Sequence, residues 1–490
     1  MQNNLLLLIL FGLIVPSCGA GEETNSNDKE SITRDSGGGD DAVEPLYETS
    51  PPAGTGTFFA NHDQFIGIPP GVKAIGFANG HTSEKLMQAA SDSGLYGGIF
   101  RRNLRMYNPR PNVPVSLSNA KNIGMRNWLT IGGTPEHLSN MAQTEDEEEA
   151  RGYPLYARIP PTDTLAYAHA VINQLEHYES SEGVVPEYVE IWNEPDREEF
   201  FNGTLAQYFE IYHEVSQAIK NRWPSIKVGG MGLAGYSSKM GGNESALLQL
   251  IDYAATNNLP LDFVSWHHYT IGQELEFSKF TETLRNRLNS WNKFSTELIV
   301  SEWNIFPSTN SHGEDFDRAH SAANYASFQA TARRHNLDGN IFFKLQDNAA
   351  IGGVIDDFTG KGMGTITTRG LKKPIYHLME VMQSMAYESM VEVQAPEKEW
   401  SLNVYATRSG NRIRYVVSND LVGGDWVWAN RLREQGFSPN NLWSLYERAA
   451  KRNGRAKKPT HADMSWAGLN NAEIAAIQKL EGELMPAWHF

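Results

Sequence analysis

Two glutamates stand where hydrophobic runs end. In YVEIWNEPDRE (188–198), an apolar, β-branched stretch gives way to a charged turn, and Glu194 sits at the changeover between Asn193 and Pro195. In TELIVSEWN (296–304), Glu302 holds the same kind of place. A carboxylate that closes a buried strand lies at a rim rather than in a core. Two converging there could divide acid–base work. One would be protonated and give its proton to a leaving oxygen; the other would be ionised and attack a carbon centre. The less solvated carboxyl, lying near another negative charge, is expected to hold its proton. Such a pair flanking an acetal C–O bond is the working equipment of glycoside hydrolysis, and a separation of about 5 Å would mean retention of configuration.

Other reactive side chains cluster at strand ends. GGIFRRNLRMYN (97–108) offers Arg102 and Arg105, which are three apart and so face opposite sides of a strand. DFVSWHHY ends in Trp266, His267, His268 and Tyr269, and FFKLQDN carries Lys344, Gln346 and Asp347. Trp266 and Trp303 fit either a core or a platform for a sugar's C–H face. The His267–His268 pair fits a metal site less well, because no third ligand stands at a suitable spacing.

The elements that must position these groups alternate. Strand-like runs at VKAIGFAN (72–79), GGIFRRNLRMYN, RNWLTIGG, PEYVEIW, SIKVGGMGLAG, LDFVSWHHY, TELIVSEWN and NIFFKL are each followed by a stretch of helical spacing, among them TSEKLMQAASDSG, TDTLAYAHAVINQLEHYE and PIYHLMEVMQSM. Eight units over roughly 320 residues, with strands apolar on both faces, predict an α/β fold, a parallel (β/α)8 TIM barrel. An open doubly wound sheet would need a glycine-rich phosphate turn after the first strand, and GFANG does not supply it. The eight-fold barrel places its active site at the C-terminal mouth, where both glutamates fall.

Domain limits follow from composition. Residues 1–18 read as a secretory signal ending at the chain's one cysteine, Cys18, in the manner of a bacterial lipobox. Cys18 is then the lipidated thiol, with an unmodified signal peptide as the other reading. Gly19 carries no acidic retention signal, which favours an outer-membrane anchor over release. Residues 19–50 are polar and acidic, a tether unable to bury a core. The catalytic barrel spans 51–390. A β-hairpin or partial sandwich, turning about SGNR, spans 391–420, and a polar helical tail with NAEIAAIQKLEGELM as its best helix spans 421–490.

The net charge of −16 argues against a nucleic-acid partner. The acidic run Glu145–Glu149 reads as a solvated loop, with calcium binding as the alternative. With 40% apolar and 11% aromatic residues the chain supports a large core and, equally, an aromatic-lined cleft. No organic cofactor motif is apparent, and chemistry of this type needs no metal.

WNEP after a fourth strand, SEWN ending a seventh and DFVSWHHY at the sixth, together with KVGGMGLAG and IGGTPEHL, resemble glycoside hydrolase family 39 of clan A over about residues 70–390. The resemblance implies a retaining β-glycosidase acting on a poly- or oligosaccharide. Glu194 would be its acid/base and Glu302 its nucleophile, with Asn193 on the sugar 2-hydroxyl. His267 would line the sugar site, Tyr269 would hold the nucleophile, and Arg102 or Arg105 would keep Glu302 ionised. Members usually carry a tryptophan near the end of the eighth strand. Here Lys344 falls near that place, which hints at an acidic or sulfated sugar, and Asp347 is a candidate for hydroxyl contacts. A non-catalytic glycan-binding lipoprotein and a transglycosylase are the competing readings.

Overall fold

The structure, a computed structural model, describes residues 59–65, 74–78, 98–107, 116–140, 154–269, 274–305, 314–317, 319–347, 362–367, 369–385, 388–394, 402–419 and 460–484, with isolated positions between 436 and 452. Cys18, the tether, the helix expected over TSEKLMQAASDSG and the acidic run 145–149 lie outside the described residues.

Twelve strands are described. β1 (Phe59–Phe65) precedes the eight that close into a barrel: β2 (Ala74–Ala78), β3 (Ile99–Arg105), β4 (Arg126–Gly132), β5 (Tyr188–Ile191), β6 (Lys227–Leu233), β7 (Phe263–Tyr269), β8 (Glu297–Asn304) and β9 (Gly339–Phe342). All neighbours in the ring are parallel, and β9 returns to β2 with Ala74 opposite Gly339. These are the eight strands expected from sequence, in the expected order. Among the described residues, helices fill the connections from β3 onward. Thr164–Glu182 is capped by Asp163, whose side chain accepts from Ala166 N, and ends at Gly183 with φ 68°. Leu205–Arg222 starts in a Thr204/Gln207 capping box.

Alternation along the strands sorts residues into two cores. Phe100, Leu104, Leu129, Ile131, Val189, Ile191, Val228, Val264, Trp266, Leu298, Val300, Trp303 and Phe342 face outward, into one apolar layer shared with the helices. Inside the barrel, Ile99, Trp128, Tyr188, Phe263, Ile299 and Ile341 form an apolar plug. Trp128 stacks on Tyr188 with ring centroids 5.0 Å apart. Gly229 is required beside this plug, because a Cβ there would lie 2.1 Å from Phe263 O. Below the plug, Lys227 Nζ pairs with Glu297 at 2.7 Å. Above it, toward the C-terminal mouth, the inward side chains turn polar.

β10 (Ser389–Gln394), β11 (Leu402–Ser409) and β12 (Arg412–Asn419) continue the chain in a four-stranded sheet ordered β1-β10-β11-β12. The expected hairpin is β11–β12. Neither β1 nor β10 was expected. β1 pairs antiparallel with β10, Phe59 opposite Gln394, so a segment preceding the barrel completes the sheet that follows it. Ser327, on the helix Ala319–Arg334, meets Ser418 of β12 with the hydroxyl oxygens 3.0 Å apart. In the tail, helices His461–Ala467 and Asn471–Leu484 bury a separate small core that includes Met464, Leu469, Ile474 and Ile477. Among the described residues, no helix is long and apolar enough to cross a membrane.

Candidate active site

The polar layer at the mouth is built around an arginine that the sequence reading passed over. Arg101 is fully buried and serves three acceptors. Its Nε and Nη2 donate to Glu190 Oε2 at 3.1 and 2.8 Å. Nη1 donates to Glu302 Oε2 at 2.9 Å, and Nη2 also donates to Asn193 Oδ1 at 2.9 Å. Burial opposes its charge, but the carboxylates of Glu190 and Glu302 outweigh that and raise its pKa.

Arg102 and Arg105, the two expected there, are not in this place. Arg102 faces the helical layer, donating to Asn127 Oδ1 with its guanidinium carbon 4.9 Å from the Phe100 ring centroid, and burial lowers its pKa to about 10. Arg105 is exposed at the strand's end. The physical reason is parity. Phe100 and Leu104 are committed to the outer core, so Arg102 between them must face outward and Arg101 inward.

Glu194 reaches the mouth through a break in alternation. Tyr188 and Glu190 point into the barrel, so strict alternation would turn Trp192 inward. Trp192 instead adopts φ 73° and packs outward, its ring 5.0 Å from Phe201 and 6.1 Å from Tyr167. That reversal brings Asn193 inward. Glu194 follows at φ 46°, its N–H bonded to Gly232 O at 2.9 Å. Left-handed backbone at a β-region residue costs on the order of 1 kcal/mol or more, and here it aims two side chains at one spot.

Glu302 arrives through a register shift. β7 and β8 run in step to Trp266 opposite Val300, then resume with His267 opposite Glu302. The extra residue turns Glu302 inward beside Ser301. Tyr269 donates its hydroxyl to Glu302 Oε1; burial and the charge of Glu302 push the phenol well above its ordinary range, so it remains a donor.

His267 lies between the two glutamates. Its Nδ1 is 2.8 Å from Glu194 Oε1, and its Nε2 is 3.9 Å from Glu302 Oε2 and 3.3 Å from Arg101 Nη2. Burial opposes a charge on the ring, but the two carboxylates raise its pKa. Burial likewise favours a protonated Glu194, yet the hydrogen bond and charge of His267, followed by Arg197 and Arg101, hold its carboxyl below the usual range. Poor solvation alone would hold a proton on Glu194; the neighbouring His267 works against it. Ligand atoms of Glu194, His267 and Glu302 all lie within 4.8 Å of one another. A cation seated there would have to compete with the Arg101 guanidinium for Glu302.

The remaining candidates divide. Trp266 and Trp303 are buried in the outer layer, with Trp303 stacked 3.9 Å from Phe328 and bonded through Nε1 to Asn340 Oδ1 at 3.0 Å. Neither can stack on a sugar. The parity that turns His267 and Glu302 inward turns Trp266, His268 and Trp303 out. His268 also faces the outer layer, between Tyr236 and Phe328, and burial lowers its pKa to about 4. It cannot join His267 on a metal. Asp347 accepts from Gly364 N at 2.7 Å and from Lys373 Nζ at 2.9 Å, so it knits the 362–366 segment to the barrel rather than facing the mouth. Lys344, by contrast, lies beside the mouth, its Nζ 5.1 Å from the Phe343 ring centroid. Phe343, turned inward like Ile341, meets Tyr269 edge-on at 6.3 Å.

Glu190 was also missed, although it carried a signal. An acid inside the apolar run YVEIW must find a buried cation or be neutralised. It accepts from Arg101 and from Thr130 Oγ1 at 2.6 Å, and although burial opposes its charge, Arg101 and His267 lower its pKa.

The arrangement can be set beside known proteins. The family model "Glycosyl hydrolases family 39" matches residues 168–423, more than half of the chain. A β-xylosidase of Caldicellulosiruptor saccharolyticus is 22% identical over 401 residues, 72% of this chain and 77% of that protein. In fold, the chain is similar to a monomeric β-xylosidase of Caulobacter crescentus CB15, with a TM-score of 0.53 at 17% identity over 69% of this chain and 72% of that one. It is similar too to the GH39 enzyme of Xanthomonas axonopodis pv. citri, with a TM-score of 0.54 at 17% identity over 70% of each. Half-buried strand-end glutamates at a barrel mouth and a family match over most of the barrel lead to one conclusion: this chain belongs to glycosyl hydrolase family 39 and is a glycosidase.

Proposed function

We propose that the protein is a retaining β-glycosidase in which Glu302 is the nucleophile and Glu194 the acid/base. The observation that carries this is that one oxygen of each carboxylate lies within 4.8 Å of one of the other's, in keeping with the carboxyl separation of about 5 Å at which one carboxylate attacks C1 directly without room for an intervening water. Glu302 Oε1 and Oε2 are oriented by Tyr269 and Arg101. One carboxylate oxygen bonds C1 while the C1–O bond to the leaving group breaks. The leaving oxygen takes a proton from Glu194, which draws it from His267 Nδ1 across their 2.8 Å contact. In the second half, water gives its proton to Glu194 and its oxygen to C1, and Glu302 is released as a carboxylate. Asn193, with its Oδ1 held by Arg101, presents its NH2 to the sugar 2-hydroxyl.

Azide tests both roles at once. Glu194→Ala should cleave an activated aryl β-glycoside slowly and, with azide, give the β-glycosyl azide, whereas Glu302→Gly should give the α-azide. An inverted first product from the wild type would overturn the assignment. We propose further that the chain is exported and lipid-anchored in the outer membrane through Cys18. Cys18→Ala should move the protein from the membrane to the soluble fraction, and an unchanged distribution would refute the anchor.

A further inference from the structure

We infer that the sugar ring seated over Glu302 carries an anionic substituent, a carboxylate or a sulfate, and that Lys344 is the cation that receives it. The inference rests on the glycosidase reading of Glu302.

Lys344 follows β9 by two residues, at the rim where β8 delivers Glu302. Its backbone is fixed on both sides: its N–H donates to Met363 O at 3.1 Å and its carbonyl accepts from Thr365 N at 3.0 Å. Asn304, two residues past Glu302, donates to the carbonyls of Phe343 and, at 3.0 Å, of Met363, which ties the same corner to β8. The backbone at Lys344 is therefore held in place, and the residue is 5% exposed.

A buried ammonium is costly unless a counter-charge or hydrogen-bond acceptors replace its water. Among the described residues Lys344 Nζ has neither a hydrogen bond nor an ion pair, only the face of the Phe343 ring. The obvious acid, Asp347, is already taken. Lys373 Nζ holds it at 2.8 Å, is itself bonded to Asp317 at 2.7 Å, and donates to Gly362 O at 2.8 Å. The two lysines thus differ: Lys373 is a satisfied structural cation, and Lys344 is a desolvated one whose field reaches Glu302 and Asp347. A carboxylate or sulfate on the bound ring would supply the missing partner by a charge-assisted hydrogen bond. A neutral sugar would leave the ammonium as costly as before. Burial lowers its pKa to about 8, so the group is still mostly charged at neutral pH.

The test compares 4-methylumbelliferyl β-D-glucuronide, the 6-sulfated β-D-glucoside, the β-D-glucoside and the β-D-xyloside as substrates for the wild type, Lys344→Met and Lys344→Arg. A second arm titrates free glucuronate, glucose 6-sulfate and glucose into Glu302→Gln by calorimetry, with and without Lys344→Met. The wild type should favour an anionic glycoside, and the arm that responds separates carboxylate from sulfate. Lys344→Met should lower the anionic-to-neutral ratio of kcat/KM about 30-fold, the worth of one charged hydrogen bond, with Lys344→Arg retaining part of it. Should Lys344→Met fail to fold by circular dichroism, Lys344→Gln takes its place. Hydrolysis of neutral glycosides with a ratio that ignores Lys344 would overturn the inference and leave the glycosidase standing. Binding of anionic sugars that depends on Lys344, without hydrolysis of any substrate, would sink the catalytic reading and uphold this one.

Discussion

Replacing Arg101 by methionine removes four donated hydrogen bonds at once, two to Glu190 and one each to Glu302 and Asn193. The methionine fills much of the volume, so the loss is electrostatic. Glu190 is fully buried and Glu302 nearly so; their side chains are 0% and 12% exposed. Breaking a buried pair from one side costs about 3–5 kcal/mol, because the remaining charge stays out of water. The protein should relieve part of that by protonating a carboxylate. If Glu302 takes the proton, the proposed nucleophile is lost; if Glu190 takes it, Glu302 still loses one charged hydrogen bond, about 1.5–3 kcal/mol. The melting temperature should therefore fall by roughly 5 °C. The rate constant kcat should fall about 10- to 100-fold, with KM little changed, since the bonds lost belong to the enzyme and not to the sugar. Arg101→Lys keeps the charge but not the fork and should recover stability more than kcat. The assay is a thermal melt beside steady-state hydrolysis of an activated aryl glycoside, with Arg102→Met as the comparison. Wild-type kcat in Arg101→Met, or an equal loss in Arg102→Met, would refute the reasoning that the inward arginine organises the site.

Tyr269→Phe removes the hydroxyl that donates to Glu302 and should lower kcat about 10- to 100-fold while leaving the fold intact by circular dichroism. Trp266→Ala should cost about 3–5 kcal/mol of stability and leave KM unchanged in whatever folds, since the ring is core and not platform. The Glu194–His267 pair makes stability depend on pH in two directions. His267 is raised in the folded state, so its contribution is full below its unfolded value near 6.5 and is lost as pH rises through the folded value. Glu194 is lowered, so its contribution is present above its unfolded value near 4.5 and is lost as pH falls through the folded one. Melting temperatures measured across pH 4 to 9 should lose both slopes in His267→Gln; identical profiles in variant and wild type would contradict the pairing.

The barrel was legible because its strands are apolar on both faces and each is followed by helical spacing, a pattern that few folds produce. Glu194, Glu302, Asn193, His267 and Tyr269 were legible as strand-end residues, since a charge or amide closing an apolar run has few other uses. What failed was parity. Arg102 and Arg105 were weighed without Arg101, although Phe100 and Leu104 mark the outward face and leave Arg101 the inward one. Trp266 and Trp303 adjoin the inward His267 and Glu302, so adjacency in sequence meant opposite faces in space. The register shift at Ser301 and the left-handed turn at Trp192 leave no mark in composition, and they decide which neighbours point in. β1 and β10 went unseen because their pairing joins residues more than three hundred positions apart, and neither carries a turn signal of its own.

That same long-range pairing bears on how the molecule would carry a mechanical load. An anchor ahead of residue 59 would pull first on β1, and the bonds resisting it would be those between β1 and β10, antiparallel and sheared along their length. The ring of catalytic strands would sit behind that clasp, screened from tension. A fragment trimmed to begin at β2 would lose the clasp and bare one side of β10 to any passing strand. Expression limits for this enzyme therefore belong ahead of Phe59, not at the first strand of the ring.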